Sequence, residues 1–251
     1  QGAQRAPHLR RARDGGGCLI YGGRQLGKSA LLNHIRIERH RPNSGELVIY
    51  LDIKPVGGVG MGPECIWDEI RHELKTYSDL SSGSQDANDV VRIIEKWLTG
   101  DPSRRLLVMF DEADNFLRAE HAGGYPNLLK IKGLMESTGM RFKAVFAGLH
   151  NVRRMAQDPN SPLPHLGEPI CIGPMNQTRE NRTALRTLAT KPMRSAGLEY
   201  ADPALASDMI ARMNYYPSLV QVFCRQVVET IGRRTFAGQD GPRWRLSREA
   251  L

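Results

Sequence analysis

The sequence predicts an α/β fold, in which a mostly parallel five-stranded sheet is sandwiched by helices and followed by a small helical domain. Two observations predict it. Short apolar runs alternate with segments of helical periodicity up to residue 172, and no strand pattern occurs between Gly173 and residue 240. Strands that alternate with helices form right-handed crossovers, which give parallel sheets covered on both faces. The composition, 40% hydrophobic and 25% charged, is that of an ordinary globular chain.

Each predicted strand is a short apolar or β-branched run bounded by turn residues. These runs are 18–21, 47–53, 106–110, 144–147 and 169–172. Helical spacing of apolar residues occurs in 29–37, 64–77, 87–98 and 127–137, and later in 179–195, 204–213 and 218–233. We predict a core domain over 1–174, a helical domain over 175–240, and the start of a further, truncated domain over 241–251. Residues 244–246 could form a strand, and this last domain could be a winged-helix domain. Because the chain opens at Gln1 without a methionine, we expect a piece of a longer protein.

The charge balance is basic, with 35 lysines and arginines against 27 acidic residues and a formal net charge of +8. Arginine clusters supply most of the excess. Clusters of this kind permit contact with nucleic acid, but they are more often solvated helix faces. They are Arg10, Arg11 and Arg13; Arg104 and Arg105; Arg153 and Arg154; Arg233 and Arg234; and Arg243, Arg245 and Arg248.

Neither a long apolar run nor a secretory signal pattern occurs, so we expect a cytoplasmic protein. The four cysteines, Cys18, Cys65, Cys171 and Cys224, are widely spaced and form no metal-binding pattern with histidines. We predict that they are reduced thiols of the core.

Residues 22–29 match the pattern G-x-x-x-x-G-K-S/T at every fixed position, between a predicted strand and a predicted helix. That context is the one that a phosphate-binding P-loop, or Walker A motif, requires, and it disfavours a chance glycine-rich turn. Backbone N–H groups and the helix N-terminus bind phosphates, Lys28 reaches the β- and γ-phosphates, and Ser29 ligates Mg²⁺. We therefore predict a P-loop NTPase that binds ATP or ADP. The predicted nucleotide-binding residues of this loop are Gly22, Gly23, Arg24, Gln25, Leu26, Gly27, Lys28, Ser29 and Ala30.

The strand at 106–110 leads directly into Asp111 and Glu112. Because the carboxyl end of a parallel strand lies at the ligand-binding edge of the sheet, Asp111 is predicted to bind the Mg²⁺ beside Ser29, as a Walker B residue. Glu112 is suited to act as the general base on the attacking water, and Lys28 also counts as catalytic. An adjacent Asp and Glu at a strand end favour nucleotide hydrolysis over phosphoryl transfer to a substrate. The alternative is an acidic cap on the next helix, which is also our interpretation of Asp114.

The strand at 144–147 is followed by His150 and Asn151, which could sense the γ-phosphate or could simply face solvent. Arg153 and Arg154 could stabilise charge on the phosphates, or could form a basic helix face. Tyr216 and Pro217 precede the last helix, where proline is common at the first turn. The proline rule does not explain why Tyr215 and Tyr216 are adjacent, so we also retain an adenine-facing surface as an interpretation of these two tyrosines.

Over residues 15–235 the order of these features resembles the AAA+/STAND branch of P-loop ATPases. Residues 23–32 resemble the loop of STAND and archaeal-type ATPases, and residues 147–152 and 216–219 resemble segments of bacterial multidomain members. The resemblance implies that 175–240 is a lid, whose proline borders the nucleotide base. It also implies a slow, Mg²⁺-dependent ATPase switch that self-associates, with effector and sensor domains elsewhere in a longer signalling or antiphage-defence protein. His150 and Asn151 replace the arginine usual at the end of the fourth strand.

Two alternatives stay open. A DNA-associated AAA+ ATPase, resembling origin-recognition or transposition loaders, would use the arginine clusters on DNA phosphates. A scaffold that only binds nucleotide is disfavoured by the intact pair Asp111 and Glu112.

Overall fold

The computed structural model describes residues 17–77, 80, 86–149, 155, 158, 161–167, 169–235 and 244–247. The chain divides into two compact units. The N-terminal unit comprises Gln1–Gly23 and Lys28–Ile172, and the C-terminal unit comprises Arg24–Gly27 and Gly173–Leu251.

The N-terminal unit contains a five-stranded sheet with the strand order β2-β3-β4-β1-β5. All of its neighbouring strands are parallel, so the predicted parallel sheet is confirmed. The strands are β1 (Gly17–Gly22), β2 (Glu46–Asp52), β3 (Arg105–Asp111), β4 (Phe142–Gly148) and β5 (Ile170–Ile172).

Five α-helices accompany this sheet in the described residues. They are α1 (Lys28–Arg39), α2 (Ile66–Leu74), α3 (Ala87–Gly100), α4 (Asp114–Gly123) and α5 (Pro126–Ser137). Short 3₁₀ turns occur at Pro42–Ser44, Pro63–Cys65 and Leu163–Leu166. Beyond the interpretation of Asp114 as a helix cap, we predicted no range for α4, because Phe116 and Leu117 alone give its ten residues too weak an apolar periodicity.

Alternate residues of the strands pack on opposite faces of the sheet. Leu19 belongs to a large buried cluster that includes side chains from α2, α3, α4 and α5. Its neighbour Ile20 belongs to a second cluster, which includes Leu32 of α1. Helices therefore cover both faces, as predicted, and the strands carry nearly continuous apolar runs because neither face is left to water.

The C-terminal unit is mainly helical but contains a small parallel sheet. Its elements are α6 (Arg179–Ser195), β6 (Leu198–Tyr200), α7 (Pro203–Arg212), α8 (Pro217–Thr235) and β7 (Trp244–Leu246). The three helices and the strand at 244–246 are confirmed. The expectation that no strand interrupts the helices is wrong at β6, because three residues are too few to show a period.

β7 pairs with β6, and Leu246 is 1% exposed in the core of the C-terminal unit. The described part of 241–251 therefore packs within that unit. The division of the chain into domains over 1–174, 175–240 and 241–251 stays a prediction.

The prediction that all four cysteines are core thiols holds for two of them. Cys18 and Cys224 are buried, and burial raises the pKa of the Cys18 thiol to about 12. Cys65 is half-buried. Cys171 is exposed because it lies on the edge strand β5, so the prediction is wrong there.

Two further sequence expectations concern membranes and basic clusters. None of the helices in the described residues is long and apolar enough to cross a membrane.

At the amino end of β3, the Arg104 guanidinium lies 5.0 Å from the centroid of the Trp97 ring and donates to the Trp97 carbonyl. Arg105 donates to the Pro102 and Arg104 carbonyls. This arginine pair therefore has a local structural role.

Candidate nucleotide site

The loop between β1 and α1 contains two residues in the left-handed region of the backbone map. Gly27 has a φ of +92° and Gln25 a φ of +64°. Glycine adopts this region without the steric cost that a β-carbon brings. The loop therefore turns sharply before Lys28, at the point where the motif specifies a glycine.

Gly22, the first glycine of the motif, is required by the sheet. A Cβ at this position would lie 2.2 Å from the Ile172 carbonyl oxygen of β5, far inside van der Waals contact. The packing of β1 against β5 thus explains this glycine without reference to a ligand.

Lys28 is 7% exposed, which is unusual for a lysine. Its ammonium nitrogen lies 3.0 Å from the Gly22 carbonyl and 2.9 Å from the Gly23 carbonyl. These two hydrogen bonds fix the amine at the carboxyl end of β1. Because an ammonium group has three N–H donors, one remains for a further acceptor.

The rest of the loop is more accessible. Ser29 and Ala30 are exposed in the first turn of α1, where backbone N–H groups have no helical partner. Arg24 and Gln25 are exposed, whereas Leu26 is buried. Within the C-terminal unit, the Ser218 hydroxyl donates to the Gln25 carbonyl at 2.8 Å.

Asp111 ends β3 and is 2% exposed. Its Oδ1 accepts the backbone N–H of Glu112 at 3.0 Å, and its Oδ2 accepts the hydroxyl of Tyr50 at 2.8 Å. Among the described residues no lysine or arginine forms an ion pair with it. A buried carboxylate without a cationic side chain is the kind of group that a metal ion stabilises.

Glu112 is half-buried and has a φ of +54°, so it leaves the strand direction in the left-handed conformation. The next residue, Ala113, donates its N–H to the Ala147 carbonyl of β4 at 2.9 Å. The turn at Glu112 is thus held at both sides, by Asp111 and by β4.

We interpreted Asp114 as a cap of the helix that follows it, and this interpretation is wrong. Its side chain forms no cap hydrogen bond with α4. Both of its carboxylate oxygens accept the backbone N–H of Leu149, at 3.0 and 3.1 Å. Leu149 directly follows β4, so Asp114 ties the start of α4 to the segment before His150. His150, Asn151, Arg153 and Arg154 themselves lie outside the described residues.

Tyr216 is half-buried and Pro217 begins α8. The two preceding residues, Asn214 and Tyr215, have φ values of +50° and +58°. The Tyr215 carbonyl accepts the N–H of Met175 at 3.0 Å. The role of Tyr216 and Pro217 beside a nucleotide base stays a prediction.

Comparison with family models and with curated proteins gives no match. Solved structures do match. A Walker-type ATPase of Pyrococcus abyssi aligns with a TM-score of 0.61 and 16% identity, over 91% of this chain and 66% of that chain. The ORC2 protein of Aeropyrum pernix, in its ADP form, aligns with a TM-score of 0.63 and 15% identity, over 97% of this chain and 64% of that chain. The A. pernix ORC1 protein in complex with DNA aligns with a TM-score of 0.57 and 19% identity, over 93% of this chain and 57% of that chain.

The fold is that of a P-loop NTPase. At these identities the similarity concerns the fold, and this chain covers less than two thirds of the length of each of the three structures. In this fold the loop after β1 and the end of β3 lie at the same edge of the sheet, which agrees with the parallel register described above.

The side chains at this edge of the sheet fit a magnesium nucleotide. Lys28 has a donor left for a phosphate oxygen, and the exposed start of α1 provides backbone N–H groups. Ser29 and Asp111 are oxygen ligands of the type that Mg²⁺ prefers. The described residues contain no group of three or more His, Cys, Asp or Glu that could hold a metal alone. Such a site suits Mg²⁺, which usually binds one or two protein groups together with phosphates.

Tyr50 and Asp114 are polar residues of this edge that sequence reasoning missed or interpreted differently. Tyr50 lies inside the apolar run of β2 and so looks like a core residue. Its proximity to Asp111 depends on the register between β2 and β3, which pairs Asp52 with Asp111. Nothing in a single sequence encodes that register directly. A tyrosine two residues before a strand-terminal aspartate was the available signal.

Proposed function

We propose that this chain binds ATP with Mg²⁺ and hydrolyses it at the carboxyl edge of the parallel sheet. The observation that supports this most is the buried Asp111 carboxylate at the end of β3, which forms no ion pair with a described lysine or arginine. Its two oxygens accept the Glu112 N–H and the Tyr50 hydroxyl, which hold the carboxylate at the carboxyl end of the strand.

The proposed roles follow from the chemistry of each group. Lys28 would contact the phosphate oxygens, and Ser29 and Asp111 would hold Mg²⁺. When bound, Mg²⁺ neutralises negative charge that develops on the phosphates. Glu112 would accept a proton from the attacking water, since its carboxylate directly follows Asp111 and is only half-buried.

The first experiment measures ATP binding and single-turnover hydrolysis. Lys28→Ala should weaken nucleotide binding. Glu112→Gln should keep binding and lower the hydrolysis rate by about 10²- to 10⁴-fold, the usual effect of removing a general base. Glu136→Gln, the same chemical change on an exposed position of α5, is the matched control and should leave both unchanged. Normal binding by Lys28→Ala, or normal hydrolysis by Glu112→Gln, would contradict the proposal.

The finer role that we propose is a switch, in which the nucleotide state controls self-association within a longer multidomain protein. Its support is the sequence resemblance to STAND proteins of bacterial signalling and antiphage defence. Slow hydrolysis would then reset the switch. If this is correct, Glu112→Gln with ATP should sediment as a larger particle than the same variant with ADP. An identical particle size in both nucleotides would count against it.

A second candidate is DNA association. The similar ORC1 protein of A. pernix was solved in complex with DNA. In this chain Arg179, Arg182 and Arg186 are all exposed and lie three and four residues apart on α6, so they share one helix face. A row of arginines on one face is a suitable contact for DNA phosphates.

Duplex DNA binding measured at several salt concentrations tests this candidate. Each phosphate contact changes the slope of log K against log salt by about −0.9, so replacing all three arginines by alanine should flatten the slope by about 2 to 3. The control variant combines Arg36→Ala, Arg39→Ala and Arg118→Ala. It removes the same charge from α1 and α4 and should flatten the slope less. Absent binding, or binding that does not depend on salt, would exclude the candidate.

A further inference from the structure

Tyr50 is anchored on the face of the sheet that α1 covers. Its ring packs against the buried cluster that includes Leu32, together with Leu31 and Ile35 of α1. The β2–β3 register pairs Tyr50 with Met109, two residues before Asp111 on the same face. A tyrosine is long enough to reach this diagonal neighbour. The ring position therefore directs the hydroxyl toward the end of β3.

The hydroxyl supplies a donor to a carboxylate that is almost fully buried. Oδ1 of Asp111 is occupied by the Glu112 N–H at 3.0 Å, and Oδ2 by the Tyr50 hydroxyl at 2.8 Å. Each carboxylate oxygen keeps a further lone pair for a metal ion. With both oxygens bonded from fixed directions, the plane of the carboxylate is set before any ligand binds.

We propose that Tyr50 is a positioning residue for magnesium, whose hydroxyl orients the Asp111 carboxylate. The inference rests on the proposed function of Asp111 as a magnesium ligand. Removing a group that orients a metal ligand typically lowers metal affinity about 10- to 100-fold. The hydroxyl of Tyr50 thus affects the metal ion without contacting the reacting atoms.

The test measures how strongly a fluorescent ATP analogue binds to the full chain as Mg²⁺ is titrated, and again in EDTA. Tyr50→Phe removes only the hydroxyl and keeps the packed ring. The variant should need an Mg²⁺ concentration about 10-fold higher or more to reach half of the Mg²⁺-dependent increase in affinity for the analogue. Its affinity in EDTA should be unchanged. Tyr77→Phe is the matched control, because it removes a half-buried tyrosine hydroxyl whose contact is His40, at 3.3 Å. It should titrate like the wild type.

Asp111→Asn separates this inference from the proposed function. If Asp111→Asn abolishes the Mg²⁺ effect and Tyr50→Phe titrates like the wild type, Tyr50 has no positioning role and the proposed function stands. If the wild type shows no Mg²⁺ effect, or Asp111→Asn retains it, both proposals fail. Adding Tyr50→Phe to Asp111→Asn should change nothing further, because Tyr50 acts through that carboxylate. An additional loss in the double variant would overturn the positioning role.

Discussion

At the scale of single residues, Glu112 combines a proposed catalytic role with an unfavourable backbone conformation. Its φ of +54° lies in the left-handed region, which costs a residue with a β-carbon about 1–2 kcal/mol. Such conformations cluster at functional sites, because only a local requirement for the side chain offsets the backbone strain. A glycine would fit the backbone better, and the chain has a glutamate there instead.

We therefore predict that glycine and alanine at position 112 differ in stability, although neither supports hydrolysis. Glu112→Gly should be about 1 kcal/mol more stable than Glu112→Ala in urea unfolding without nucleotide, because glycine adopts a positive φ without strain. Both variants should lose hydrolysis. Lys96, an exposed position inside α3, is the control. There the glycine variant should be less stable than the alanine variant, since glycine weakens a helix interior. Equal stability of the two Glu112 variants would show that the turn stores no strain.

Most of the residues of the candidate site could be predicted from the sequence, because the motif joins a fixed spacing to a strand and a helix. Lys28 and Asp111 lie where that reasoning put them, at the ends of the predicted elements. Tyr50 could not be predicted, because its contact with Asp111 depends on the alignment of two strands that lie far apart in the chain. The reason for Gly22 also differs from our prediction, since its neighbour Ile172 already excludes a side chain.

At the scale of elements, the start of α5 is stabilised by a residue of α4. The residue before α5, Tyr125, forms no side-chain cap and has a φ of +65°. Glu120, which is fully buried, accepts the N–H groups of Asn127 and Leu128 at 2.9 and 2.8 Å. It also accepts the Asn127 side-chain amide at 2.7 Å, and Asn127 in turn accepts the Trp67 indole N–H. This cap was invisible to local sequence rules, which look for it next to the helix.

Glu120→Gln should therefore be costly. The substitution replaces one acceptor oxygen by an N–H₂ group, which would face N–H donors in a buried place. We expect a loss of about 2–3 kcal/mol in the free energy of unfolding, as for a buried hydrogen bond to a charged group. Glu136→Gln, whose exposed carboxylate pairs only loosely with Lys132 at 3.7 Å, should change it by less than about 0.5 kcal/mol. Similar losses in both variants would mean that Glu120 is not the cap.

At the scale of the whole molecule, the alternation of strands and helices was sufficient to predict a parallel sheet with helices on both faces. The period of the hydrophobic residues is a local property of the sequence. It therefore identified most helices and strands, but it did not give the order of the strands within a sheet. The pairing of β6 with β7 joins segments that are separated by α7 and α8, and neither strand exceeds three residues. Long-range pairing of such short strands leaves almost no periodic signal in either segment.

The position of β1 in the sheet has a consequence for synthesis. In sequence order β1 is the first strand of the five-stranded sheet, yet its neighbours are β4 and β5, the last two strands of that sheet. While the protein is made on a ribosome, the strand that ends at Gly22 has no partner in that sheet until β4 has emerged, and it gains its second partner only with β5. Long-range parallel pairing of this kind forms late. A nucleotide can therefore influence folding of this chain only after most of the N-terminal unit has been translated.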